Sequence, residues 1–302
     1  MRYFLFILAV ASLLVSCEEN GSVEKHTKVE KTHEHERAKE LIENKCSACH
    51  NPDIPEASMM APTFATIRQK YRNTTADKAD FIAHFTAFVE DPSRDKALLK
   101  RAVEKYGLMA REGTKRNDIK KIAKYIYTTD LDKLAKKSQS SNEEPPVGIT
   151  IALSTKKALG KNLMNAIEVG GAAHAVEFCN TRALAITDSM SQRHGAHIQR
   201  VTDRPRNPKN KAGEEALQVI AQYKKTLASG KKPKPVINEK ADSIQFYAPI
   251  VTNSMCLKCH GQPEKDINLS TLNKINKFYP SDQAKGYGEN EVRGVWNIIY
   301  KK

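Results

Sequence analysis

Apolar residues recur at helical spacing along the first part of the chain. Over 79–89, Phe81, Ile82, Phe85, Phe88 and Val89 fall on one face. Over 117–127, Ile119, Ile122, Ala123 and Ile126 do the same, with Asp118, Lys120 and Lys121 on the polar side. Residues 38–45 read as a further helix running into Cys46. The pattern predicts an all-α body over 38–131. Residues 132–148 change character: Ser138-Gln139-Ser140-Ser141-Asn142 and Pro145-Pro146 read as a linker. Two long helical patterns come next, 151–169 and 172–189, broken by Gly170-Gly171. A turn-rich stretch holds Asp203-Arg204-Pro205-Arg206-Asn207-Pro208, and a helix is expected over 213–228. Residues 243–251 and 292–300 are β-rich and alternate, so they read as strands. The expected fold class is multidomain: an all-α domain, then an α+β domain over 149–302 with a small antiparallel sheet.

The extreme N-terminus has a different pattern. Met1-Arg2 precedes an apolar run over 3–14, too short for a stable membrane span and fit for an export signal. The run closes with Leu14-Val15-Ser16-Cys17, which resembles a bacterial lipobox. The resemblance implies a signal peptide over 1–16 and lipidation of Cys17 as an anchor; a plain signal cut near Ser16 is the alternative. Residues 17–37 are polar and read as a tether, with His26, His33 and His35 as solvated linker histidines.

Composition narrows the classes. The chain has 302 residues, 49 Lys and Arg against 35 Asp and Glu, a net charge of +14 and six Cys. That length and charge exclude bulk disorder and a polytopic membrane protein, and six Cys are too sparse for a disulfide scaffold. The basic excess lies after residue 148, with 24 Lys and Arg against 13 Asp and Glu. Export argues against nucleic acid as its partner and for an anionic redox partner.

Four of the cysteines carry the chemistry. Cys46-Ser47-Ala48-Cys49-His50 and Cys256-Leu257-Lys258-Cys259-His260 are each Cys-x-x-Cys-His, the attachment motif of c-type haem. Roughly 0.004 matches are expected by chance from this composition. Two thiols on one turn can form thioethers to the two vinyl groups of one haem, and the adjacent His reaches the iron. A thioredoxin-like pair leaves both His unexplained, and a Cys₄ zinc site must join motifs 207 positions apart. Two covalently bound haem c groups are expected. With Cys17 lipidated, Cys179 is left over.

Residues 38–131 resemble a small class I cytochrome c domain, through the early motif, a Met about sixty residues later and a closing Tyr-containing helix. The resemblance implies His50 and a Met sulfur as axial iron ligands. Met109, in Tyr106-Gly107-Leu108-Met109, stands where that family places its ligand. Met59 and Met60 read as packing at the haem edge, and His84, within an apolar helical face, as structural. Residues 149–302 resemble a family of exported bacterial proteins with a PAS-like c-type haem domain. The matching segments are Glu177-Phe178-Cys179-Asn180, 203–208, 249–261 and Gly294-Val295-Trp296. This resemblance implies His260 as one axial ligand and Cys179, on an early helix, as the other. A thiolate is a strong iron ligand, which suits a Cys with no disulfide partner. His174, His194, His197, Met190 and Met255 are the competing ligands. Asn180 is placed to donate to the sulfur, and Arg204 and Arg206 to pair with propionates or simply to face solvent.

The expected function is a membrane-anchored dihaem c-type cytochrome of the bacterial cell envelope or periplasm. It would transfer electrons between other redox proteins, as a carrier rather than an enzyme, with no catalytic residue assigned. Thiolate ligation would give the second haem the lower potential, so electrons would run from the second domain to the first. One alternative is a haem-based redox or gas (CO/NO) sensor with a displaceable Cys179. Another is a dihaem peroxidase-like enzyme, for which only His174 or His194 offers a distal acid–base group.

Overall fold

The structure is a computed structural model describing residues 33–47, 49–51, 58–111, 113–131 and 146–302. Cys17, the signal segment and most of the expected linker lie outside the described residues.

The first body is helical throughout its described part. Helix α1 begins at residue 33 and widens into a π-turn at Ile42–Cys46. Next come α2 (Phe64–Arg72), α3 (Lys78–Glu90), α4 (Lys100–Tyr106) and α5 (Arg116–Thr128). Polar side chains start two of these helices. Thr63 accepts from Thr66 N, and Asp77 accepts from Asp80 N, each satisfying an amide that the helix cannot. The periodic faces read from the sequence meet in one core: Phe81 and Phe85 of α3 against Ile119, Ile122 and Ile126 of α5, with Leu41 and Tyr71 closing it. Burying a side chain of that size contributes about 1.5–3 kcal/mol. Helix α1 reaches further back than the expected tether boundary. His35 packs on the Tyr125 ring at 4.5 Å between centroids, and Glu34 pairs with Lys124 at 2.5 Å, so His33 and His35 belong to a helix rather than to a solvated linker. His84 is also corrected: it lies on the solvent side of α3, beside Asp80 at 2.9 Å, and not in the apolar face.

The second body is a sheet held between helices. Helix α6 spans Val147–His194 and is bent where Gly170 (φ −150°) and Gly171 (φ +70°) leave helical geometry. A positive φ with an extended ψ is open to Gly alone without strain, so the Gly-Gly pair sets the bend. Then come β1 (His197–Val201), α7 (Glu214–Ala228), β2 (Val236–Glu239), β3 (Ser243–Val251), α8 (Ser254–His260), α9 (Leu269–Phe278) and β4 (Val292–Lys301). The strands form one antiparallel sheet in the order β1-β4-β3-β2. Alternation along the strands buries both faces. Phe246, Trp296 and Ile298 pack with Ile151 and Met190 of α6, while Tyr247, Val295 and Val201 pack with Val219, Ile220 and Tyr223 of α7. The far half of α6 packs on α9 through Val176, Ile275 and Tyr279. This is the α+β arrangement expected of residues 149–302. Among the described residues, no helix is long and apolar enough to cross a membrane.

Candidate functional site

The first Cys-x-x-Cys-His segment starts where the π-turn of α1 ends and the second closes the short α8, and each His is fixed in the same way. In the first, the backbone amides of Cys49 and His50 both turn back to Cys46 O, at 3.1 and 3.0 Å. That turn brings Cys46, Cys49 and His50 to the wall of one apolar cavity. The Nδ1–H of His50 donates to Pro62 O at 2.6 Å, and the ring stacks on Phe64 at 4.9 Å between centroids. Desolvation holds the His50 pKa below its ordinary value, so the imidazole is neutral near pH 7 with Nε2 available. Met59, Met60 and Met109 line the same cavity, so the structure brings together all three sulfur candidates of the first body. Met164 of α6 and Met255 of α8 join them there, from the second body. The sequence carries no signal for Met164, and it suggests Met255 as a competitor at the other site.

The second segment is started by Asn253, whose Oδ1 caps α8 by accepting from Cys256 N at 3.2 Å and also accepts from the Cys256 thiol at 3.1 Å. The Nδ1–H of His260 donates to Ala284 O at 2.8 Å. Desolvation, and secondarily the charges of Arg206 and Arg293, push the His260 pKa well below its ordinary value. Both histidines are therefore neutral and tautomerically locked by a carbonyl, which is the state a metal-ligating imidazole needs. Cys179 stands on α6 beyond the glycine bend, close enough to Cys259 for its charge to raise the Cys259 pKa. Desolvation is the larger cause in both cases: it raises Cys179 and carries Cys259 up to about 11, against the opposing charge of Arg206. Cys179 is thus a neighbour of Cys259, the residue before His260. Of the other candidates for that position, Met255 lines the first cavity and His174 is exposed on α6. His194 is engaged with Ser154 Oγ at 2.8 Å, Met190 is in the sheet core, and His197 is exposed on β1.

The arginines have structural work. Arg206 makes a forked ion pair with the buried Asp282, at 3.1 and 3.2 Å, and donates to Cys259 O at 2.6 Å and Ala284 O at 3.3 Å. It thereby ties α8 to the loop whose carbonyl holds His260. Arg204 donates to the carbonyls of Gln283 and Lys285 and lies over the Tyr287 ring at 4.4 Å. Arg293 approaches the same ring at 5.4 Å and donates to Thr202 Oγ1 and Arg204 O. Arg206 is largely withdrawn from solvent, and both arginines organise the 282–287 loop. Asn180 is likewise corrected: its amide donates to Phe278 O at 3.4 Å rather than to the Cys179 sulfur. The missed residues are Pro62, Ala284, Asp282 and Arg293, whose contacts span from 12 to 91 positions in sequence. The one available signal is the Arg-Pro-Arg run itself.

The residues suit two covalently held macrocycles. Paired thiols stand on one turn beside a neutral imidazole with Nε2 available. The first site adds an apolar cavity with thioethers on its wall, and the second adds a thiol near the histidine. None of the five described cysteines forms a disulfide, so each sulfur remains usable. Among the described residues, no group of three or more His, Cys, Asp or Glu could hold a bare metal ion.

Comparison with known proteins bears on the second body. The crystal structure of the cyanobacterial heme-protein Tll0287 is similar at 16% identity and a TM-score of 0.40, over 53% of this chain and 98% of that one. No curated protein matches the chain. The family described as Tll0287-like matches residues 114–300, more than half of the sequence. The chain belongs to the Tll0287-like family.

Proposed function

We propose that this chain is a dihaem c-type cytochrome that carries single electrons between redox proteins. The observation that carries the reading is the repeated design of the two Cys-x-x-Cys-His segments. Each ends in a neutral histidine whose Nδ1 is held by a backbone carbonyl, leaving Nε2 for iron. A bound haem supplies a reversible one-electron Fe(III)/Fe(II) couple at each site. Cys46 and Cys49, and Cys256 and Cys259, would hold the two macrocycles as thioethers.

The protein's own groups tune the two sites differently. His50 and His260 provide the proximal nitrogens, fixed in tautomer by Pro62 O and Ala284 O. Met109 would supply the sulfur ligand at the first site, within a 38–131 cytochrome c domain, and the apolar wall there would exclude water and favour the less charged ferrous state. Cys179 would supply the ligand at the second, giving up its thiol proton on binding. The arginines near Cys179, Arg200 and Arg206, favour its thiolate electrostatically. A thiolate holds iron in the ferric state, so the second site has the lower potential and electrons run from the second body to the first. The lipobox-like Leu14-Val15-Ser16-Cys17 supports export and a lipid anchor on the cell envelope, and the basic second body supports an acidic redox partner.

A potentiometric titration of the full, haem-loaded chain tests this reading. Two reversible one-electron waves are expected, the lower belonging to the site at Cys256 and Cys259. A lower wave at Cys46 and Cys49, or equal potentials, contradicts the direction of transfer; the absence of reversible waves contradicts the carrier role.

A further inference from the structure

The cavity at His50 is not completed by the first body. Lys157, Gly160, Lys161 and Met164 of α6 line it too, and they are spaced as one stripe on a single helix face. Gly160 makes that approach possible: a Cβ there would lie 2.4 Å from the Met60 methyl carbon, so the helix backbone itself rests on a side chain of the first body. Met255, which also lines the cavity, immediately precedes Cys256. Polar contacts fix the same register. Lys45, next to Cys46, pairs with Glu289 at 3.0 Å, and Lys258, between Cys256 and Cys259, donates to Arg111 O. Arg94 pairs with Glu168 at 3.2 Å further along α6. Surface ion pairs contribute little energy, so the apolar closure holds the contact and the charges orient it.

We infer that the 157–164 stripe of α6 and Met255 of α8 form the closing wall of the first cavity. The two Cys-x-x-Cys-His segments then share that wall and exchange electrons directly. The inference rests on the dihaem reading and adds to it an internal route, with no carrier protein between the sites. With haem held at both sites, one electron would pass from the site at His260 to the site at His50, oxidising the former and reducing the latter. No covalent bond to the protein forms or breaks, and no proton has to move.

Electron paramagnetic resonance on the full chain tests it. The spin relaxation of the ferric site at His260 is measured with both irons oxidised, and again at a potential where the site at His50 is reduced and diamagnetic. Faster relaxation in the fully oxidised protein, lost on reducing the first site, is expected. The variant Cys46→Ala with Cys49→Ala, lacking the first haem, should match the slow state. Gly160→Phe places a ring against Met60 and should lose the enhancement, with the covalent haem count read on the same sample. Two haems with the same relaxation in both redox states overturn the shared wall but leave the dihaem reading standing. Enhancement that survives Gly160→Phe overturns α6 as the closing wall. A chain with fewer than two haems overturns the dihaem reading and this inference with it.

Discussion

Both histidines of the Cys-x-x-Cys-His segments donate to a backbone carbonyl rather than to a carboxylate. The carbonyl fixes the tautomer without adding charge, so differences in potential between the two proposed sites would come from the other ligand and from burial. That makes Cys179 the informative side chain. Cys179→Ala should change the absorption and paramagnetic resonance spectra of the second site and raise its potential, while the first site stays as it was. An unchanged second-site spectrum would remove Cys179 from the iron. Arg206 acts differently, through position. Asp282, its partner, is 1% exposed, so Arg206→Ala strands a buried carboxylate and releases Ala284 O and Cys259 O together. Breaking such a pair costs about 3–5 kcal/mol, and the low end is expected because Lys285 remains 3.6 Å from Asp282. Denaturant titration of the variant measures it; a loss below about 1 kcal/mol, the surface-pair range, would show that the ion pair does not hold the loop.

Tyr223 shows how the second body's elements are joined. Its hydroxyl donates to Tyr247 O at 3.0 Å and accepts from Val236 N at 3.1 Å, linking α7 to both β3 and β2. Tyr223→Phe should cost about 1–3 kcal/mol, since two backbone groups lose their partner, with denaturant unfolding as the readout. Desolvation raises the pKa of Tyr223, and of Tyr71 in the first core, to about 12. The unfolded chain releases these protons near pH 10, earlier than the folded one, so their contribution is complete below about pH 10 and is lost as the pH rises towards about 12. Alkaline unfolding should therefore set in over that window, and Tyr223→Phe should make the loss shallower. At the bend of α6, Gly171→Ala meets a φ of +70° and should destabilise by about 1 kcal/mol or more; a stabilised variant would mean that the bend relaxes.

These elements are legible in the sequence to different degrees. Helices α3 and α5 can be read because their apolar faces repeat at the helical period, and the α6 bend because two glycines interrupt its pattern. Strand β1 escapes a reading although His197, Ile198, Gln199, Arg200 and Val201 place buried residues at Ile198 and Val201, since a turn-rich run comes directly after it. Strand β2 has four residues, too few for any period to show. At the sites, the Cys-x-x-Cys-His positions are legible because their spacing is fixed within each segment. The carbonyls of Pro62 and Ala284 and the Arg206–Asp282 pair are not, because main-chain acceptors have no residue type and long-range pairs have no spacing.

At the scale of the molecule, the basic excess after residue 148 sits on the body expected to receive electrons from a partner. Its encounter with an acidic redox protein should slow as salt rises and the field is screened within about 8–10 Å. Stopped-flow rates that do not change with ionic strength would contradict electrostatic steering. Two bodies of different fold each carry one Cys-x-x-Cys-His segment, so the number of covalent haems is the property on which the proposed electron transfer depends. The most direct measurement is the intact mass and pyridine haemochrome of the full 302-residue chain produced in a host with a haem-attachment apparatus. Two covalently bound haems are expected, falling to one in Cys46→Ala with Cys49→Ala and to one in Cys256→Ala with Cys259→Ala. A folded chain that carries no covalent haem, or whose count is unchanged by either pair of substitutions, would contradict two-site attachment.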